Sequence, residues 1–321
     1  MPRVMQMRMQ QILLIFLVFN LIFSSCSFDK KEKPPVFAYP EQLETAIFAA
    51  RQAGNILLQY WNKGIDLETK MKGMTPVTLA DFKSNEVICK TLLEAFPDYG
   101  LLTEEAISGE LVEKAIARWR EAEWTWVVDP LDGTKSYISG RRGFGIHIAL
   151  LHFGIPVVGV NYYPVSKTMY LAVDGCGAYK QVRRSRLKRI LSDERSTAIR
   201  PVVSSRKSQF VHSFYRALLG TPLTEKILRK DFKNVGSCGL RLCLIAEGNR
   251  NIYASSGESG SIWDYASGYV ILKEAGGFMS DLQGKPLDFL SENYKFKAGT
   301  LSCSSKELFE KAIQVSASKN L

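Results

Sequence analysis

Histidine is scarce in this chain of 321 residues, with only His147, His152 and His212, and the six cysteines include no C-x-x-C pair. His147 and His152 differ in parity within a strand-like run and so point to opposite faces, which leaves no set of ligands for a zinc site of the H-E-x-x-H or Cys/His type. Cys26, Cys89, Cys176, Cys238, Cys243 and Cys303 are spread too thinly for a disulfide-stapled scaffold. The phosphate-binding pattern G-x-x-x-x-G-K-[ST], the dinucleotide pattern G-x-G-x-x-G and the nucleophile elbow G-x-S-x-G are all missing. No apolar run reaches the roughly 20 residues that span a bilayer as a helix. Chemistry must therefore rest on carboxylates, hydroxyls and glycine-rich turns.

What is present is ordinary globular composition, 46% hydrophobic and 23% charged, which argues against disorder, collagen and coiled coil. At roughly 150 residues per domain the length suits two domains. Lys+Arg exceed Asp+Glu by 42 to 32, a formal +10 that favours an anionic partner without choosing among nucleic acid, lipid headgroups and small phosphorylated molecules.

The amino terminus carries Arg3 and Arg8, then twelve mostly apolar residues at 12–23, then Ser24, Ser25 and Cys26. That core has signal-peptide length. Two small residues before a cysteine resemble the lipobox of bacterial lipoproteins, with Phe23 where that box usually has Leu. The resemblance implies lipidation at Cys26 and a membrane-associated protein. An uncleaved anchor, or a start codon placed too early on a cytoplasmic protein, remain the alternatives. Residues 1–26 form this segment and 27–36 a polar tether.

Apolar residues at three- to four-residue spacing from Leu43 to Trp61, behind Pro40, indicate a first helix, and a second runs over 78–96, stopped by Pro97. A strand at 100–103, a charged helix at 110–122 and an apolar strand at 124–128 follow. Alternating runs at 145–153, 156–163 and 168–173, with turn signals at Gly154 and Gly175, form an antiparallel meander. Beyond about residue 200, strands and helices alternate as in an α/β unit. The halves are set at 37–190 and 191–321. The basic run 183–189 beside this boundary has no interleaved aromatic and reads as a solvated hairpin flank, not a nucleic-acid site.

The most informative stretch is W-V-V-D-P-L-D-G-T-K-S-Y at 126–137. Asp129 and Asp132 stand at the exit of a buried strand. Pro130 stiffens the turn and removes one backbone donor, which lets the Leu131 carbonyl face the same way as the two carboxylates. Gly133 permits close approach, and Thr134 opens a helix. Hard divalent cations want oxygen ligands and phosphate wants backbone N–H groups at a helix start, and one turn can offer both.

The heptapeptide D-P-L-D-G-T-K resembles the signature of the lithium-sensitive, magnesium-dependent phosphatases, a superfamily that includes inositol monophosphatases and 3′(2′),5′-bisphosphate nucleotidases. L-L-T-E-E-A at 101–106 resembles the family's strand-end Glu-Glu motif, and S-I-W-D-Y-A-S-G-Y-V-I-L-K-E-A-G-G at 261–277 its Trp-Asp motif. The resemblance runs from about residue 69 to 304. It implies a layered α-β-α-β-α sandwich, with an antiparallel-sheet amino-terminal half and a mixed-sheet carboxy-terminal half, and two or three Mg²⁺ ions. Glu104, Asp129 and the Leu131 carbonyl would hold one ion, and Asp129, Asp132 and Asp264 a second, with Glu105 in support. Carboxylates about 5 Å apart repel by about 3 kcal/mol per pair at an effective dielectric near 20, so such a cluster calls for counter-charge.

K-G-M-T-P-V-T-L-A-D-F at 72–82 resembles the family segment whose aspartate, here Asp81, pairs with the motif threonine, Thr134, to orient the attacking water. A capping box with Thr78 is the structural reading of Asp81, and the two roles are compatible. Gly133, Thr134, Lys135, Ser237, Arg241 and Asp264 are the residues the resemblance implies for substrate. D-G-T-K followed by a small residue and an aromatic favours the nucleotidases, as does G-S-C-G-L-R at 236–241, where Arg241 replaces the family lysine and keeps the charge while changing its geometry. Trp263, Cys238 and Cys243 read as core residues, and His147 and His152 as strand residues without a catalytic part.

The expected activity is Mg²⁺-dependent removal of the 3′-phosphate of adenosine 3′,5′-bisphosphate. The alternatives are an inositol or other sugar monophosphatase and a surface lipoprotein that binds phosphorylated ligands without turnover. The partners expected are a small phosphorylated substrate, a membrane through the amino terminus and a second copy in a homodimer, with no nucleic-acid polymer.

Overall fold

The computed structural model describes residues 35–63, 67–69, 76–105, 109–196, 198–205, 207–257 and 260–318. The expectations for the signal segment, for lipidation at Cys26, for most of the tether and for residues 72–75 and Ala106 lie outside the described residues.

Helix α1 (Pro40–Lys63) starts on a proline, with Glu41 in its first turn facing the positive end of the helix dipole. Its small buried residues Ala46, Ala50 and Ala53 bring it close to a sheet, and a Cβ on Gly54 would stand 2.6 Å from the Tyr162 ring. A short hairpin, β1 (Leu67–Thr69) and β2 (Pro76–Thr78), leads into α2 (Leu79–Ala95), which packs alongside α1.

The sheet beneath them has seven strands in sequence order: β3 (Gly100–Thr103), β4 (Trp124–Asp132), β5 (Gly145–His152), β6 (Ile155–Tyr163), β7 (Thr168–Val173), β8 (Gly177–Val182) and β9 (Lys188–Ile190). The meander from β4 onward is antiparallel, as expected, but β3 and β4 run parallel, joined by a crossover that contains α3 (Glu110–Ala117). Parallel neighbours need such a crossover, and the charged segment expected as a helix supplies it. β4 also runs four residues past the expected end. Pro130 has no N–H to give the ladder, so the register shifts between Asp129 and Asp132, and pairing resumes at Asp132 with Gly145.

The other face of this sheet is covered by α7 (Cys238–Ala246) and α8 (Ile262–Glu274). α8 approaches β6 so closely that a Cβ on Gly159 would stand 2.3 Å from the Ser267 carbonyl oxygen. Beyond these helices lies a second sheet, in which β14 (Thr300–Cys303) pairs antiparallel with both β12 (Ile252–Ser255) and β13 (Phe278–Ser280). The parallel pair β10 (Val202–Val203) and β11 (Lys233–Asn234) abuts it through a bridge from Pro201 to Ile252. Its far face packs against α5 (Gln209–Leu219) and α9 (Lys306–Ser318). A short helix, α6 (Glu225–Asp231), capped by the Thr224 hydroxyl, was not evident from periodicity. Three buried apolar clusters thus separate five layers, α-β-α-β-α.

Candidate active site

Two aspartates meet at the end of β4 because strand burial carries them inward and the bulge at Pro130 turns both to one side. Asp129 and Asp132 are both buried. The Leu131 amide donates to Asp129 Oδ1 at 3.0 Å, and the Ser84 hydroxyl of α2 donates to the Pro130 carbonyl at 2.8 Å, so the turn is tied from within and from outside. Gly133 adopts φ 85°, a left-handed conformation that a side chain would strain. It opens α4 (Thr134–Ile138), and the Thr134 hydroxyl donates to the Leu131 carbonyl at 3.1 Å.

The layer behind the sheet supplies the opposite wall. Ser237 caps α7 by accepting from the Leu240 amide at 3.1 Å, and the same hydroxyl donates to Asp132 Oδ2. The Gly239 amide also donates to that oxygen, at 3.1 Å. Asp132 is thereby bound to the start of a helix 105 residues downstream. Asp264 lies in the first turn of α8 and accepts from the Ser261 amide, closing a capping box. Glu104 follows β3 and extends its ladder by donating its amide to the Val128 carbonyl at 3.2 Å. Glu105 is buried, and its carbonyl accepts from Asn85 Nδ2 at 2.9 Å. Asp81, in the first turn of α2, is buried as well. The Thr78 side chain that would complete its capping box lies outside the described residues.

Electrostatics join these elements into one site. Burial pushes the Asp129 carboxyl well above the usual range, and Glu104, Asp132, Asp264 and Asp81 each push it further. Burial and Asp132 raise Asp264 to about 7, against the opposing pull of the Ser261 amide, Arg241 and Lys295. Acids from α2, the end of β3, β4 and α8 thus act together on Asp129 and Asp264. The carboxylates and the Leu131 carbonyl are hard oxygen donors, and such a set fits a divalent cation such as Mg²⁺.

His147 belongs to this group too. It is a strand residue, as expected, but it pairs with Asp129 across β4 and β5, and its Nε2 lies 3.2 Å from Asp132 Oδ2. Atoms of Asp129, Asp132 and His147 lie within 4.8 Å of one another. Burial, with Arg241 adding to it and Asp132 opposing it, lowers the His147 pKa. A Cβ on Gly239 would sit 2.4 Å from this imidazole, so only glycine lets α7 reach it. His152, on the other hand, is remote from the aspartates, stacked on Trp124 with ring centroids 3.9 Å apart.

The model of the inositol monophosphatase family matches residues 39–319. The chain belongs to that family. The 3′(2′),5′-bisphosphate nucleotidase CysQ of Escherichia coli K12 is 35% identical over 248 residues, covering 75% of this chain and 90% of its own. The Nus factor SuhB of Pasteurella multocida is 34% identical over 245 residues, covering 75% and 85%. Among solved structures, CysQ of Bacteroides thetaiotaomicron superposes with a TM-score of 0.64 at 26% identity, covering 84% of this chain and 98% of its own. An inositol monophosphatase of Thermotoga maritima reaches 0.66 at 22%, covering 87% and 99%, and supports the fold alone. This family member is a phosphoric monoester hydrolase.

Within the family member, Asp129, Leu131, Asp132, Gly133 and Thr134 share one turn, with Ser237 bonded to Asp132, while Asp81, Glu104 and Asp264 lie near enough to act on the Asp129 carboxyl electrostatically. Lys135 is exposed on α4, next to Thr134. Arg241 turns inward instead. Its Nη1 donates to the Val235 and Gly236 carbonyls at 2.8 and 3.1 Å, and its guanidinium covers the Tyr253 ring at 4.6 Å. Trp263 is half-buried against Tyr294, and Cys238 and Cys243 are buried thiols. Sequence reasoning missed Ser84, Asn85, Gly239 and the place of His147. The pairing of Asp132 with Gly145 carried back without the bulge would set Ile148 opposite Asp129, so only the observed register shift places His147 there.

Proposed function

We propose that this phosphatase removes the 3′-phosphate of adenosine 3′,5′-bisphosphate. The observation that carries the reading is Lys135: a flexible cation exposed beside Thr134 at the site, where a second phosphate on the substrate would find it. Similarity to the CysQ nucleotidases over three quarters of the chain supports the same choice. The carboxylates of Glu104, Asp129, Asp132 and Asp264 and the Leu131 carbonyl would hold Mg²⁺, which when bound neutralises phosphoryl charge and makes water more acidic. Thr134, oriented by the Leu131 carbonyl, would align the attacking water, and Asp81 would accept its proton. Ser237 and the Gly239 amide both hold one oxygen of Asp132, which would leave the other for a cation.

Hydrolysis of this substrate should exceed that of inositol 1-phosphate at least about tenfold in kcat/KM, because a charge-assisted contact contributes roughly 1.5–3 kcal/mol. Equal or reversed preference would overturn the substrate. Arg241 favours the second reading, an inositol or other sugar monophosphatase, because its donors serve backbone carbonyls and not an open rim.

The proposed location is a membrane surface, where a lipidated Cys26 would hold the protein once the segment before it is removed. Among the described residues no helix is long and apolar enough to cross a membrane. Cys26→Ala should release the enzyme from the membrane fraction, and a variant that stays bound would indicate an uncleaved anchor instead.

A further inference from the structure

The β8–β9 hairpin concentrates positive charge at the edge of the large sheet. Arg183, Arg184, Lys188 and Arg189 are all exposed, and among the described residues none of them lies within ion-pair distance of a carboxylate. The exposed Lys167 adjoins them, since the Arg183 amide donates to the Lys167 carbonyl. Val182 and Leu191, which flank the hairpin, are 41% and 63% exposed.

The described chain begins beside this patch. The Phe37 and Tyr179 rings meet edge to face at 5.4 Å, the Ala38 amide lies 3.4 Å from Cys176 Sγ, and Tyr179 pairs with Arg189 across the two strands. Ten residues lie between Cys26 and Phe37, a reach of at most about 40 Å at full extension. Lys30, Lys31 and Lys33 lie within that stretch.

We propose that the β8–β9 hairpin is the face this enzyme turns to an anionic lipid surface, docking the folded body onto the bilayer that holds its amino terminus. The inference rests on the membrane location proposed above. Each basic side chain near an anionic surface improves partitioning by roughly fivefold, within a Debye length of about 8 Å at physiological salt. Four or five such residues, on a tether too short for the body to wander far, hold it in one orientation. Charge on β9 also protects a sheet edge against pairing with another chain, and that role requires no lipid.

The test incubates the full-length enzyme with vesicles of phosphatidylcholine, alone or with roughly a third phosphatidylglycerol, and follows trypsin cleavage within residues 183–189. Binding to the neutral vesicles tests the anchor by itself. Protection of the hairpin tests the docking. Cleavage should be at least about tenfold slower on the anionic vesicles than on the neutral ones, and the protection should vanish near 0.5 M salt, where the Debye length falls to about 4 Å. A variant with R183Q, R184Q, K188Q and R189Q should keep its phosphatase activity on a soluble substrate but lose the difference in flotation between the two vesicle types. Equal cleavage on both vesicles would overturn the proposal and leave the edge-protection role. Stronger protection by single-stranded RNA than by anionic vesicles would also overturn it, assigning the patch to nucleic acid.

Discussion

Asp132 concentrates the chemistry of single residues in this enzyme. One of its oxygens is held by Ser237 and the Gly239 amide, and the ring of His147 lies against it. Asp132→Asn preserves volume but removes a charge from the proposed cation site. Turnover should fall by several orders of magnitude in a phosphate-release assay, while the melting temperature in EDTA stays level or rises because a repulsive carboxylate has gone. Unfolding in EDTA would instead make Asp132 a structural residue. Asp264 allows a test by pH. Its folded pKa, about 7, exceeds the ordinary carboxylate value, so the folded state holds a proton that the unfolded chain has already released. Its contribution to the stability of the metal-free enzyme is present below about pH 4 and is lost as pH rises toward 7, and Asp129 shifts in the same direction. Denaturant titrations in EDTA at pH 5 and pH 7.5 should show lower stability at the higher pH.

At the scale of elements, the site depends on how closely α7 and α8 approach the large sheet. Glycines make that approach possible, Gly239 against His147 and Gly159 against the α8 backbone. Gly159→Ala would drive a methyl group into the Ser267 carbonyl, a backbone atom that cannot rotate away. The cost should be at the upper end of the roughly 1–3 kcal/mol typical of overpacking, read as a lower urea midpoint. Because α8 carries Asp264, activity should fall by more than the folded fraction does. Ser237→Ala removes both a helix cap and a hydrogen bond to Asp132. About 1 kcal/mol of stability should go with the cap, and kcat should fall as well.

For the whole molecule, the five layers bring acids from four elements near enough to raise the Asp129 and Asp264 carboxyls. Bound cations should therefore stabilise the fold as a unit. Mg²⁺ should raise the melting temperature, by more at pH 8 than at pH 5.5, where protons compete for the same carboxylates. A Mg²⁺-induced rise independent of pH would separate the ions from this cluster.

The sequence alone determined a great deal near the motifs. D-P-L-D-G-T-K marks a strand exit because its apolar run, proline and glycine act locally, and burial patterns of period two and near 3.6 placed most strands and helices. Tertiary structure decided the rest. The parallel pairing of β3 with β4 depends on a crossover, and the extension of β4 past Pro130 on a partner, Gly145, that resumes the ladder. His147 reads as an ordinary strand residue until strand pairing sets it opposite Asp129. Arg241 looks like a substrate cation until folding places the Val235 and Gly236 carbonyls and the Tyr253 ring around it. Local pattern specifies what each segment can become, because backbone sterics and side-chain periodicity act over a few residues. Which distant segment meets a given side chain depends on packing between layers, and no short window of sequence contains that information.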